Sequence, residues 1–241
     1  MRAVTIASSG GAELVRDAAA LIFDVDGTLA ETEELHRCAF NHAFTRHGLG
    51  WHWDRAAYKD LLRVTGGKER IRAFHTRRSI APPLTDAEIV ELHRTKTAHY
   101  AELVETGRCP LRPGVVELLT AAKARGQRIA IATTTSHGNI DALLSRALGP
   151  RWAADFEAIV AGDDVRHKKP APDVYLEVLA RLKLAPTGCV AIEDSANGLV
   201  AASRANIPVL ITRSLYFRDD DFSGARFVLD ELSELAVEPK T

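Results

Sequence analysis

The chain has 241 residues, 46% of them hydrophobic and 26% charged, with a formal net charge of −1. This balance is ordinary for a globular protein and leaves no charge excess to draw nucleic acid or a membrane surface. No apolar run approaches the ~18 residues of a membrane span. Three scattered cysteines, Cys38, Cys109 and Cys189, have no C-x-x-C spacing; they argue against a disulfide framework or a zinc site and fit a reducing cytoplasm.

In chain order, residues 1–17 read as an extension. Glu13 and Asp17 interrupt any signal-peptide core, and "ASSGGAE" has the composition of a flexible stretch. The first strand is expected in "ALIFDVD" (20–26), an apolar run that ends on Asp24 and Asp26. A long segment without any strand-like run follows. In "ETEELHRCAFNHAFTRHGLG", Leu35, Ala39, Phe40, Ala43, Phe44 and His47 fall at helical spacing, and Gly48 stands where a helix stops. "DRAAYKDLLRVTGG" ends in paired glycines, "KERIRAFHTRR" continues the helical pattern, and after the turn "APPLTD" Thr85 or Asp86 can cap a long helix to about Glu105.

From residue 114 the pattern changes. Strand-like runs at 128–134, 156–162, 189–194, 208–212 and 225–230 alternate with helical patterns at 114–125, 138–148, 172–183 and 196–205. Near-continuous apolar runs mark strands buried on both faces, and strand–helix alternation means a parallel sheet. The expected fold is therefore α/β: a Rossmann-like parallel core from 18–30 and 108–241, with an all-α cap inserted over 31–107. Ligands of open α/β sheets sit outside the carboxyl ends of the strands. The insertion leaves from that edge and so is placed as a lid over the site.

Polar residues gather at those strand ends: Asp24 and Asp26 on the first, Thr133, Thr134, Thr135 and Ser136 on the second, Lys168 and Lys169 after the third, Glu193 and Asp194 on the fourth. A parallel sheet aligns all these ends on one edge. Asp24 and Asp26 alternate with Val25, which puts both carboxylates on one side. Four carboxylates in one crevice call for a cation, and hard oxygen donors in a small cluster suit Mg2+. Hydroxyls beside a lysine suit phosphate. A metal, a phosphate pocket and a spare carboxylate describe phosphoryl transfer with an aspartate nucleophile. Taken singly, each piece reads as a turn, a strand end or a helix cap. The D-x-D-G stretch is not an EF-hand, since Leu29 and Leu35 replace the loop Gly and Glu. "TGGK" is not a Walker A loop, since Leu62 takes its first Gly position. It is the joint occurrence, each piece at a strand end, that carries the reading.

The set "DVDGTLAETE", "IATTTS", "KKPAPDVY" and "AIEDSANGL" resembles the four motifs of the haloacid dehalogenase superfamily phosphatases with a helical cap, over about Ala20 to Asp230. The resemblance implies that Asp24 is the nucleophile and Asp26 the general acid/base. Thr133, the backbone of Thr134, and Lys169 would clamp the phosphoryl group. Asp24, the Asp26 carbonyl and Asp194 would ligate Mg2+, with Glu193 bound directly or through water. Asp26 must carry a proton when the leaving group departs, so its pKa is expected above that of metal-bound Asp24.

A narrower resemblance lies in the cap. "DVDGTLAETEELHRCAFNHAF" with "TGGKERIRAF" and "ATTTS" resembles the pentulose-bisphosphate phosphatases of this family, associated with the Calvin cycle. It implies xylulose 1,5-bisphosphate as substrate. A bisphosphate needs a second anion site. Thr65, Gly66, Gly67, Lys68 and Arg70 offer one, because glycine N–H groups can approach a phosphate and the two side chains supply charge. Glu33 and His36, a helical turn apart, can reach sugar hydroxyls, and Thr135, Ser136 and Asn197 complete the expected substrate set. The alternatives are a mutase of the β-phosphoglucomutase type, a phosphoglycolate phosphatase, and a non-catalytic sugar-phosphate binder; retention of both Asp24 and Asp26 speaks against the last. The expected partner is a small sugar (bis)phosphate, with no nucleic acid or membrane, for a cytoplasmic monomer.

Overall fold

The structure, a computed structural model, describes residues 2–78, 83–107 and 109–235. The start of the turn expected at 81–86 and the chain beyond 235 lie outside the described residues. Six strands, β1 (Ala20–Phe23), β2 (Arg128–Ala132), β3 (Ala158–Val160), β4 (Cys189–Glu193), β5 (Val209–Thr212) and β6 (Phe227–Leu229), form one sheet in the order β3-β2-β1-β4-β5-β6. Every pairing is parallel. All six strands lie within the expected runs, shorter at one or both ends. The run 225–230 supplies the edge strand.

Period-2 alternation divides the core in two. Leu21, Phe23, Ile129, Ile131, Val190, Ile192 and Leu210 point to one face, where Val15, Val115, Leu118, Ile140, Leu143 and Leu144 cover them. Ala20, Ile22, Ala130, Ala132, Ala191, Val209 and Ile211 point to the other, under Val174, Tyr175, Val178, Leu182 and Ala202. The helices that carry these side chains are α1 (Arg2–Asp17), α6 (Val115–Ala124) and α7 (His137–Leu148) on the first face, and α8 (Asp173–Leu182) and α9 (Ala196–Arg204) on the second.

The helix α1 differs from the flexible extension expected over 1–17. Gly10 and Gly11 sit within it, where they weaken an isolated helix. Tertiary packing decides otherwise: a Cβ on Gly10 would lie 2.9 Å from the Phe227 ring, and one on Gly11 3.1 Å from Leu235. The two glycines let the helix approach the edge of the sheet.

Between β1 and α6 the chain is helical: α2 (Glu33–Arg46), α3 (Arg55–Leu61), α4 (Gly67–Arg77) and α5 (Asp86–Glu105). Glu33 and Glu34 open α2 and Arg46 closes it, the charges a helix dipole favours. Thr85 and Glu88 cap α5 reciprocally. The insertion has its own core of Phe40, Phe44, Trp53, Tyr58, Leu61, Ile71, Phe74, Ile89 and Leu92. Arg112, buried, ties its root to the sheet: its guanidinium donates to the carbonyls of Gly27, Thr212, Arg213 and Asp230. No described helix is long and apolar enough to cross a membrane.

Candidate active site

The sheet reverses strand order around β1, which lies between β2 and β4. A crevice opens at the carboxyl ends of the strands at such a point, and the helical insertion covers it. The resulting cleft is lined by Asp24, Asp26, Glu33, His36, Thr65, Gly66, Gly67, Lys68, Arg70, Thr133, Thr134, Thr135, Ser136, Lys168, Lys169, Asp194 and Asn197. Every expected site residue lines it except Glu193, which lies completely buried beneath the floor.

The floor is held by Lys169. Its buried ammonium donates to Asp24 Oδ1 and Glu193 Oε1, each at 2.6 Å, and to the Ala132 carbonyl at 2.8 Å. The Tyr175 hydroxyl donates to the same Glu193 oxygen. Burial pulls the Lys169 ammonium down, but Asp24 and Glu193 outweigh it and hold it above its ordinary range. Burial, then Asp24 and Glu193, push the Asp194 carboxyl well above the usual value. Asp24 is pushed up to about 8 by burial and by Glu193, against the pull of Lys169.

These shifts describe acids in need of a cation. Ligand oxygens of Asp24, Glu193 and Asp194 lie within 4.8 Å of one another. Asp194 Oδ2 is buried without a hydrogen-bond partner, and the bare backbone of Gly27 leaves it room: a Cβ there would fall 1.9 Å from that oxygen. Three buried carboxylates with an orphaned oxygen fit a hard divalent cation.

Asp26 is engaged differently. Its Oδ1 accepts from the Thr32 hydroxyl at 2.6 Å and pairs with His36 Nε2 at 2.9 Å. Burial favours the neutral acid, but His36 and Thr32 outweigh it and hold Asp26 well below the carboxylate range. With Lys169 as its cationic neighbour Asp24 is the weaker acid of the two, and the donors on Asp26 make that group the stronger.

Behind His36 lies a residue that pattern reading missed. Lys96 of α5 is buried, with its ammonium 2.7 Å from His36 Nδ1 and over the rings of Phe40 and Tyr100. Burial pulls it down to about 7 against the nearby Asp26. In "HRTKTAHY" it reads as one more surface lysine. Only the packing of α5 on α2 turns it inward.

The hydroxyl-bearing loop Thr133–Ser136 follows β2. Thr133 N donates to Val160 O at 3.0 Å, Ser136 caps α7, and Asn139 donates to the Thr135 hydroxyl at 2.8 Å. Gly162, after β3, lies against this loop. A Cβ at 162 would come 2.2 Å from the Thr134 carbonyl oxygen, which is backbone and cannot step aside. Gly162→Ala is therefore expected to displace the loop and cost about 1–3 kcal/mol, as overpacking does. Thermal melts with phosphate-release assays check this; a wild-type melting temperature would refute it.

At the mouth the cap side meets the core in ion pairs. Lys68 Nζ lies 2.9 Å from Asp163, and Lys168 Nζ 2.8 Å from Glu69. The Thr65 hydroxyl donates to the Lys169 carbonyl. Gly66 and Gly67 line the cleft, and side chains crowd them: Cβ atoms there would meet Glu69 and Lys168, or His93 Nε2 at 2.5 Å. Arg70 is buried, donates to the Tyr58 hydroxyl at 3.0 Å, and lies over the rings of Phe40 and Tyr58; Tyr58 in turn donates to Glu33 at 2.8 Å. On the far side, Tyr216 donates to Glu34 at 2.6 Å and Phe217 lines the cleft.

The class follows from comparison with known proteins. A family model described as haloacid dehalogenase-like hydrolase matches residues 18–206, and the chain belongs to that family. The enzyme class expected from the motifs, a phosphatase of this family, stands. Within the family the chain is similar to the CbbY proteins: it is 51% identical to Protein CbbY of Rhodobacter capsulatus, over 91% of this chain and 96% of that protein. The crystal structure of CbbY from Rhodobacter sphaeroides in complex with phosphate superposes with a TM-score of 0.86 at 45% identity, covering 91% of this chain and 96% of that one. A mutant of the same protein in complex with xylulose-(1,5)bisphosphate gives 0.87 at 45% identity and the same coverage.

Proposed function

We propose that the chain hydrolyses a small sugar bisphosphate, xylulose 1,5-bisphosphate to xylulose 5-phosphate, with Mg2+ bound by Asp24, Asp194, the Asp26 carbonyl and, directly or through water, Glu193. The observation that carries this reading is a single cleft with Asp24 and Lys169 at its floor and the basic side chains Lys68 and Arg70 toward the cap. A relative 45% identical binds xylulose 1,5-bisphosphate in a crystal, which supports the choice of substrate.

In this mechanism Mg2+ supplies charge neutralisation that lets an anionic carboxylate approach an anionic phosphate. Lys169, the Thr133 hydroxyl and the Thr134 backbone hold the phosphoryl oxygens. Asp24 attacks phosphorus, the P–O bond to the sugar breaks, and Asp26 gives its proton to the sugar oxygen. Water then attacks the aspartyl-phosphate, its proton returns to Asp26, and the bond to Asp24 breaks. Asp26 needs a proton source, and His36 and Lys96 stand in line behind it at 2.9 and 2.7 Å. Lys96, brought to about 7, is close to balanced between its two protonation states at neutral pH. The distal phosphate lies toward Lys68 and Arg70, and Glu33 and Asn197 face the sugar. Closure over the substrate belongs to the helical insertion, as a cap.

The test is phosphate release with Mg2+ from a panel holding xylulose 1,5-bisphosphate, ribulose 1,5-bisphosphate and phosphoglycolate. Release without a bisphosphate primer separates hydrolysis from the mutase reaction. Lys68→Ala is expected to raise KM for the bisphosphate about tenfold or more and to leave an aryl phosphate nearly unchanged, as loss of a remote binding group does. Equal effects on both substrates would sink the distal anion site.

A further inference from the structure

Asp163 is not part of the chemistry above, yet its carboxylate lines the cleft and sits against the cap-side cation Lys68. It follows β3 in "AGDDV", and its carboxylate reaches across from the core to Lys68 of α4 at 2.9 Å. Lys168 and His93 act on the same carboxylate, and Lys68 and Lys168 draw it below its ordinary range despite burial. His93 itself is kept neutral: burial, then Lys96 and Lys68, pull its imidazole down to about 3. The anion paired with Lys68 is a side chain of the protein, and it lines the same cleft as Thr135 and Ser136.

We infer that Asp163 is a displaceable counter-ion for the distal anion site, holding Lys68 until a phosphoryl group of the substrate replaces it. This deepens the proposed function and rests on it for the identity of the substrate. The physics is competition. A half-exposed ion pair is weak, so a monoanionic carboxylate yields to a dianionic phosphoryl group. A substrate with a neutral distal end cannot make the exchange and leaves Lys68 paired. Asp163 thus takes back part of the affinity that Lys68 gives a charged distal end, and holds the cationic site neutral between turnovers.

The experiment compares Asp163→Asn with wild type on xylulose 1,5-bisphosphate and on p-nitrophenyl phosphate. Removing the competitor is expected to lower KM for the bisphosphate about fivefold, the equilibrium value of an exposed ion pair. The aryl phosphate, bound at the Asp24 end only, is expected to change by less than about twofold. Asp219→Asn is the control: Asp219 pairs with Lys59 across the same two parts of the chain at 3.2 Å, outside the cleft. It is expected to move neither KM. A rise in the bisphosphate KM of Asp163→Asn would overturn the inference in favour of Asp163 positioning Lys68. Equal falls for both substrates would overturn it in favour of a general field effect, and a matching fall in Asp219→Asn in favour of cap loosening. If wild type turns over no sugar bisphosphate, the substrate reading fails by itself. Calorimetric titration of inorganic phosphate into the Mg2+-loaded proteins then decides: a second equivalent bound about fivefold more tightly by Asp163→Asn upholds the counter-ion, and an unchanged affinity overturns it.

Discussion

Asp24→Asn is expected to lower turnover by at least about 10⁴-fold, because an amide cannot form the aspartyl-phosphate. The same substitution is expected to leave the cation-free chain at least as stable as wild type. Asp24 is one of three buried acids whose oxygens lie within 4.8 Å of one another, and Asn keeps an oxygen for the Lys169 bond while removing the ionisable group. The pH dependence gives a sharper readout. Burial raises the folded-state carboxyl from the ordinary 3.8 to about 8. The folded chain therefore holds this proton more tightly than the unfolded chain does. Stability from it is whole below about pH 4 and is lost as pH rises through 8. In chelator, wild type is expected to melt progressively lower from pH 5 to pH 8.5, and Asp24→Asn to melt with a shallower slope. Mg2+ is expected to restore wild type at the high end by binding the ionised acids. Identical slopes for the two proteins, or full activity in the variant, would remove Asp24 from its proposed place.

Much of this was legible in the sequence because a parallel sheet aligns its strand ends. Asp24, Thr133, Lys169 and Asp194 are far apart in the chain, but each follows an apolar run, and one edge of the sheet collects them. The strands themselves were visible because both faces are buried, so the runs "ALIF", "RIAIA" and "CVAIE" carry little polar interruption. What escaped was whatever depends on contact between elements. Lys96 lies on a helix with charged neighbours and turns inward only because α5 packs along α2. Asp163 reads as a turn residue until Lys68 arrives from the cap. Tyr175, which donates to Glu193, looks like an ordinary core position of α8. The helix over Arg2–Asp17 contradicts its own glycines and exists through the packing of Gly10 and Gly11 on Phe227 and Leu235. The paired glycines 66–67 line the cleft as expected, but the sequence could not show that Glu69, Lys168 and His93 pack against them.

The second large effect is expected at Lys169. Its ammonium is the one cation hydrogen-bonded to both Asp24 and Glu193 among the described residues, and those groups are buried. Lys169→Met keeps much of the volume and removes the charge, which strands two carboxylates away from water. Breaking one side of a buried ion pair costs roughly 3–5 kcal/mol, so the cation-free variant is expected to melt far below wild type at neutral pH. The sign with pH follows from the same cause. Without the ammonium, the Asp24 carboxyl rises further above its ordinary value, so protonation relieves the repulsion. The deficit is expected to stay level from pH 5 to about pH 7 and to widen as pH rises through 8, where wild type releases the Asp24 proton and the variant still holds it unfavourably, and Mg2+ is expected to recover part of it by taking over the charge. Turnover should not recover with it. The phosphoryl oxygens lose their fixed donor whether the substrate carries one phosphate or two, so kcat/KM is expected to fall by about 10²–10³-fold or more on xylulose 1,5-bisphosphate and p-nitrophenyl phosphate alike. That equality distinguishes Lys169 from Lys68, whose loss is expected to touch the bisphosphate alone. A Lys169→Met protein that melts like wild type, or that loses activity only on the bisphosphate, would move the lysine from the floor of the reaction to its rim.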